Sequence, residues 1–138
     1  MRATVKWVDG VMFLGESGSG HAVAMDGAAE HGGKNMAARP MELILIGLGG
    51  CASFDVISIL SKGRRLPVKC YTELEAERSD TVPAVFTKIH LHFVIEGGCV
   101  SDTVARRAVE MSAKKYCSAS IMLAAAGVAI THTYVVTD

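Results

Sequence analysis

The chain has 138 residues, of which half are apolar and 20% are charged, and its 14 Lys and Arg residues balance its 14 Asp and Glu residues. This length predicts one domain over residues 1–138, and the apolar content excludes a disordered chain. Because the protein has no net charge, it has no broad basic field to attract phosphate backbones. The composition therefore argues against nucleic acid as a partner.

The first part of the chain, residues 1–26, predicts short strands. Arg2–Val8 alternates apolar and polar side chains, and an Asp-Gly turn separates it from a returning strand at Val11–Leu14. His21–Met25 would form a third strand. The glycine-containing stretch over 27–39 predicts a loop.

A long central helix is predicted over Pro40–Lys62. Proline suits the first helical position, and Gly63 follows where a helix often ends. Apolar side chains surround this helix, which is typical either of a membrane span or of a helix buried in an assembly. Asp55 lies in the middle, and an acidic residue there costs roughly 2.5–3.5 kcal/mol in a bilayer. We therefore expect a buried helix and no membrane.

The second half predicts a hairpin over 67–96, two helices over 102–126 and a last strand over 128–136. Val68–Glu77 alternates apolar and charged side chains, as a strand with one wet face does. The predicted order is βββ, α, ββ, α, α, β. This order defines an α+β fold, with antiparallel sheets packed on long central helices.

The sequence predicts a reducing location and no bound metal or cofactor. Met1–Asp9 carries three charged side chains and no long apolar block, so we expect a cytoplasmic protein rather than a secreted one. The cysteines are Cys51, Cys70, Cys99 and Cys117. They show no C-x-x-C spacing, and only His90 and His92 form a close histidine pair, so the pattern argues against a zinc site.

Two of the cysteines lie in settings suited to chemistry. Cys51 follows two glycines, whose missing side chains let a substrate or another backbone approach; it could equally be a small buried apolar residue. Cys117 follows two lysines and precedes a helix, and both features favour a thiolate, so we expect Cys117 to be the more acidic thiol. Cys70 and Cys99 are expected to be structural.

The order of these segments is specific. A helix opened by Arg39-Pro40-Met41-Glu42-Leu43 contains Gly-Gly-Cys51, a hairpin follows, and Lys115-Tyr116-Cys117-Ser118 precedes a short helix. Over nearly its whole length the chain resembles the OsmC/Ohr family of thiol peroxidases, in particular its OsmC-like redox subgroup. The resemblance implies an intertwined homodimer with active sites at the subunit interface. It also implies that Cys51 is the peroxidatic thiol and Cys117 the resolving thiol.

The resemblance further implies an activating arginine and a catalytic glutamate. Family members carry the glutamate ten residues before the peroxidatic cysteine; here Met41 holds that position and Glu42 follows. Arg39, or else Lys34, is the candidate cation, and Glu42 would orient Arg39. Along one straight helix Glu42 and Cys51 are about 13.5 Å apart and half a turn out of phase. Arg39 and Glu42 would therefore act through a fold-back or from the partner chain.

The implied reaction reduces organic hydroperoxides through a Cys51 sulfenic acid and a Cys51–Cys117 disulfide, in oxidative-stress defence, with a small or lipoyl dithiol as reductant. Apolar side chains could line the substrate pocket. They are Met36, Met41, Leu48, Phe54 and Met122. Two alternatives stay open: a non-enzymatic, redox-sensing dimer that binds an apolar ligand or a partner, and a carrier of thiol or persulfide groups.

Overall fold

The computed structural model describes all residues from Met1 to Asp138. The strands and helices are β1 Ala3–Asp9, β2 Met12–Ser17, β3 Ala22–Met25, α1 Pro40–Lys62, β4 Lys69–Arg78, β5 Phe86–Glu96, α2 Asp102–Met111, α3 Ser118–Ala125 and β6 Ala129–Thr137. A 3-10 turn, Ala29–His31, precedes α1, and a turn of π-helix, Ser112–Tyr116, joins α2 to α3. The predicted α+β class and the order of elements are confirmed.

The chain forms two compact units, Met1–Ile44 and Leu45–Asp138. The first unit contains an antiparallel sheet of strand order β1-β2-β3. Gly10, in the turn between β1 and β2, has a φ of +52°, a conformation that glycine adopts without strain. The side chain of Trp7 donates a hydrogen bond to the carbonyl oxygen of Gly10 at 2.9 Å. The predicted Asp-Gly hairpin is therefore present.

A buried carboxylate organises the loop that follows β3. Asp26 accepts hydrogen bonds from the backbone N–H groups of Gly27 at 2.7 Å and of Lys34 and Met36, both at 3.1 Å. These bonds, the one from Met36 foremost, hold the pKa of Asp26 below its usual value of 3.8. The Asp26 side chain thus holds Lys34 and Met36, late in the predicted loop, close to Gly27 at its start.

We expect Asp26→Ala to open this loop. The amides of Gly27, Lys34 and Met36 would lose their acceptor, and their hydrogen exchange should accelerate about tenfold or more. The matched control is Asp9→Asn, which removes an exposed ion pair with Lys34 and should change little. Unchanged exchange in Asp26→Ala would contradict this account.

The same contact sets a pH dependence for the loop. Because the folded-state pKa of Asp26 is lowered, its contribution to stability is present above the unfolded value of 3.8. The contribution is lost as the pH falls through the folded-state pKa. Loop amide exchange in wild type should therefore approach that of Asp26→Ala only in strong acid.

The second unit contains a mixed sheet of strand order β4-β5-β6. Strands β4 and β5 pair antiparallel, as predicted, but β6 runs parallel to β5. The expectation of wholly antiparallel sheets is corrected here. A parallel neighbour needs a crossover connection, and α2, the π turn and α3 supply it.

One face of this sheet and the later part of α1 form the core of the second unit. Fully buried side chains include Leu91, Phe93 and Ile95 on β5 and Val56 and Leu60 on α1. The close approach of α1 to β4 depends on a glycine. A Cβ atom at position 49 would lie 2.7 Å from a methyl carbon of Leu74. Helix α1 is thereby fixed to the sheet next to Cys51.

Candidate active site

Two cysteines that are distant in sequence meet one aspartate inside the second unit. The Sγ atoms of Cys51 and Cys117 and a carboxyl oxygen of Asp55 all lie within 4.8 Å of one another. Both cysteines are free thiols. We call these three residues the dithiol site. It places two thiols at a separation from which side-chain movement can bring the sulfurs to bonding distance, about 2.05 Å.

Helix α1 and the start of α3 position these side chains. Cys51 and Asp55 are four residues apart and therefore project from the same side of α1. Cys117 ends the π turn, and its N–H donates to the carbonyl oxygen of Ser112 at 2.9 Å. The buried hydroxyl of Ser112 donates to the carbonyl oxygen of Ala52 at 3.1 Å. This bond ties the π turn to α1 next to Cys51.

Cys117 is fully buried, and this overturns the expectation that it is the more acidic thiol. Its pKa is raised to about 11, chiefly by burial, and the nearby Cys51 and Asp55 act in the same direction; only the N–H of Ser120, 3.4 Å from the sulfur, acts in the opposite direction. The preceding lysines, Lys114 and Lys115, have exposed side chains. Desolvation outweighs the expected effect of these charges and of the short helix that follows.

Asp55 is the site residue that the sequence did not single out. Its Oδ2 atom is buried and has no hydrogen-bond partner, and burial raises the pKa of the carboxyl group. Asp55 lines a cavity of about 240 Å³ together with Ser58, Ile59, Lys62, Met111 and Tyr116. The available signal was the four-residue spacing from Cys51, which places both side chains on one face of a helix.

Arg39 and Glu42 contact each other at the start of α1, in the first unit. A carboxyl oxygen of Glu42 accepts the backbone N–H of Arg39 at 2.9 Å, and the other lies 3.6 Å from the guanidinium. Both side chains are about half exposed. The Glu42 carboxylate therefore holds the Arg39 side chain near the helix start, while the dithiol site lies in the second unit.

The five predicted pocket residues differ in burial. Leu48 is buried and Met41 is partly buried, whereas Met36, Phe54 and Met122 are each at least two-thirds exposed. None of the five lines the cavity next to Asp55. The exposed members are available to contact a ligand or another protein surface.

The remaining cysteines and the histidine pair lie elsewhere. Cys70 is partly buried in β4, where burial raises its pKa, and Cys99 is exposed in the turn before α2. His90 and His92 form hydrogen bonds of 2.6 to 2.8 Å with two threonine hydroxyls of β6. The dithiol site itself falls one donor short of the four that structural zinc takes.

The fold and the site define a small α+β protein in which two thiols share one semi-buried site. The family model for "OsmC-like protein" matches residues 32–133, and the chain belongs to that family. Protein YhfA of Escherichia coli (strain K12) is 50% identical over 134 residues, which cover 97% of this chain and 96% of YhfA. The resemblance seen in the sequence is confirmed.

Solved structures show the same fold at lower identity. An OsmC-like protein from Mycoplasma pneumoniae has a TM-score of 0.84 at 16% identity, covering 99% of this chain and 96% of its own. An organic hydroperoxide resistance protein OsmC from Legionella pneumophila, also described as a predicted redox protein, has a TM-score of 0.72 at 17% identity, covering 97% and 96%. Helix α1 is long and apolar enough to cross a membrane, and 28% of its most apolar 18-residue window is buried within the single chain.

Proposed function

We propose that this protein is a cytoplasmic thiol peroxidase that reduces organic hydroperoxides in defence against oxidative stress. The observation that carries the proposal is the approach of the Cys51 and Cys117 sulfurs to within 4.8 Å. The fold shared with a protein named for organic hydroperoxide resistance supports the choice of substrate class.

Burial assigns different roles to the two thiols. Cys51 is partly exposed, whereas Cys117 is fully buried and has a pKa raised to about 11. A peroxide therefore meets Cys51 first. The Cys51 thiolate attacks the terminal peroxide oxygen, the O–O bond breaks, and the departing alkoxide takes a proton to become an alcohol. Cys51 is left as a sulfenic acid.

Cys117 then protects the oxidised thiol. Its sulfur attacks the sulfenic acid of Cys51, water leaves, and a Cys51–Cys117 disulfide forms. This step stops further oxidation of Cys51 to acids that are not readily reduced. A small dithiol or a lipoyl group restores both thiols by exchange, with its own sulfurs ending as a disulfide.

The departing oxygen also needs a cation, and we assign this role to Arg39 with Glu42 as the residue that orients it. Their ion pair and backbone hydrogen bond support the assignment, because a guanidinium held by a carboxylate has a defined direction. In this proposal the pair serves the thiol through a fold-back or from the partner chain. Met36, Met41, Leu48, Phe54 and Met122 would bind the alkyl group.

The active form is proposed to be a homodimer. Large apolar side chains of α1 and α3 are exposed in the single chain, and water-exposed apolar patches of this kind mark contact surfaces. They include Ile46, Phe54, Ile121 and Met122. Sedimentation should give twice the chain mass of 14.6 kDa. A monomer at micromolar concentration would contradict the dimer.

The test is a stopped-flow measurement of thiol oxidation by an alkyl hydroperoxide. The exposed Cys99 provides an ordinary thiol within the same molecule. We expect Cys51 to be oxidised at least about a hundredfold faster than Cys99, and alkyl hydroperoxides to react faster than hydrogen peroxide. Equal rates for Cys51 and Cys99 would instead favour a non-enzymatic binding or sensing role.

A further inference from the structure

A buried carboxyl oxygen without a partner needs an explanation, and Oδ2 of Asp55 is such an atom. Buried polar atoms in proteins are almost always hydrogen-bonded, and the exceptions often serve chemistry. The Oδ2 atom of Asp55 has no hydrogen-bond partner, and the side chain forms no ion pair. It lies instead within 4.8 Å of the sulfurs of Cys51 and Cys117.

The surroundings of Asp55 leave its proton available to the two thiols. The other titratable groups that line the same cavity are the amine of Lys62 on α1 and the phenol of Tyr116 on the π turn. The titratable groups that share its cluster are the thiols of Cys51 on α1 and Cys117 at the start of α3. This cavity, which Asp55 lines, has a volume of about 240 Å³ and provides room for water.

We propose that Asp55 is the proton-transfer residue of the dithiol site, passing one proton to the departing alkoxide and then carrying the proton of Cys117. The inference rests on the proposed peroxidase function and deepens it. Its basis is the placement of one unpartnered carboxyl group within reach of both reacting sulfurs.

In the first step the protonated Asp55 supplies the missing proton. The Cys51 thiolate bonds to the terminal oxygen of the hydroperoxide, the O–O bond breaks, and the alkoxide takes the proton of the Asp55 carboxyl group. The products are a Cys51 sulfenic acid, an alcohol and the Asp55 carboxylate. Burial raises the pKa of Asp55, which favours the protonated form that this step uses.

In the second step the Asp55 carboxylate takes the proton of the Cys117 thiol. The Cys117 sulfur bonds to the Cys51 sulfur, and the S–O bond of the sulfenic acid breaks. The departing hydroxide receives that proton from Asp55 and leaves as water. Asp55 ends as a carboxylate. Reduction of the disulfide returns both thiols, and the Cys51 thiol then passes its proton to the Asp55 carboxylate, which restores the thiolate and the protonated carboxyl group of the first step.

The raised pKa of Cys117 shows why such a base matters. With a pKa of about 11, only about one Cys117 thiol in ten thousand is ionised at pH 7. A carboxylate next to the sulfur removes the proton as the S–S bond forms. The buried thiol can then react without waiting for hydroxide from solvent.

The test follows disulfide formation in single turnover, by acid quench and mass spectrometry of the intact chain. We expect Asp55→Asn to slow conversion of the sulfenic acid to the disulfide by about a hundredfold. The Asn variant should then rely on hydroxide, so its rate should rise about tenfold per pH unit from pH 7 to 9. Wild type should be nearly flat over that range. Asp55→Glu should recover part of the rate and the flat profile.

Ser58→Ala is the matched control, because Ser58 on α1 lines the same cavity but its hydroxyl does not titrate in this range. It should keep the wild-type rate and profile. A wild-type rate that itself rises tenfold per pH unit would overturn the inference without any variant, as would an Asp55→Asn chain with wild-type rates. In those cases rapid oxidation of Cys51 would leave the proposed peroxidase intact. Slow oxidation of Cys51 in wild type would overturn the peroxidase itself.

Discussion

Cys51→Ser is expected to abolish hydroperoxide reduction. The hydroxyl group of serine is a far weaker nucleophile than a thiolate towards peroxide oxygen, and Cys117 is buried and protonated. Loss of a covalent nucleophile costs other enzymes up to about 10⁶-fold in kcat, and we expect a loss of at least about 10³-fold here. The measurement is turnover of an alkyl hydroperoxide with a dithiol reductant in excess.

The control for that variant is Cys99→Ser. Cys99 is exposed and lies outside the dithiol site, so its removal should leave turnover unchanged. Circular dichroism should show that both variants keep the wild-type fold. Persistent turnover in Cys51→Ser would mean that another group attacks the peroxide, and the roles assigned to the two thiols would be wrong.

Cys117→Ser is expected to separate the oxidation of Cys51 to a sulfenic acid from the formation of the disulfide. Cys51 should still react with one equivalent of hydroperoxide, but the sulfenic acid has no thiol partner and should persist. A dimedone adduct at Cys51 should therefore form almost completely in this variant and hardly at all in wild type. Repeated exposure to peroxide should drive Cys51 to sulfinic acid and end the activity.

The serine substitution is suited to this position. The Cys117 sulfur accepts the N–H of Ser120 at the start of α3, and a serine hydroxyl is a preferred cap there. The fold should therefore survive the change. Cys70→Ser is the comparison, since Cys70 is partly buried and lies in β4, outside the dithiol site. Quantitative disulfide formation in Cys117→Ser would show that a different thiol resolves Cys51.

The local elements could be read from the sequence because each is specified by neighbouring residues. Pro40 and Gly63 mark the ends of α1, and the alternation in β4 sets its buried and exposed faces. The parallel pairing of β6 was missed, because direction in a sheet depends on a crossover rather than on the strand's own residues. The two helices between β5 and β6 are the sequence feature that indicates a parallel pairing.

The site was harder to predict for a similar reason. The resemblance implied that Cys51 and Cys117 act together, and the structure places their sulfurs close to each other. The acidity of Cys117 was misjudged because lysines nearby in sequence do not offset burial, which is a property of tertiary packing. In the sequence alone, Asp55 stands out only as an obstacle to membrane insertion. Its position next to two thiols becomes visible once α1 and the π turn are packed together.

The most direct test of the central claim is a titration of the reduced protein with one equivalent of an alkyl hydroperoxide, followed by peptide mapping. The account predicts the loss of two free thiols per chain and a single new disulfide between Cys51 and Cys117, with Cys70 and Cys99 still reduced. A disulfide between other cysteines, or four thiols left intact, would contradict it.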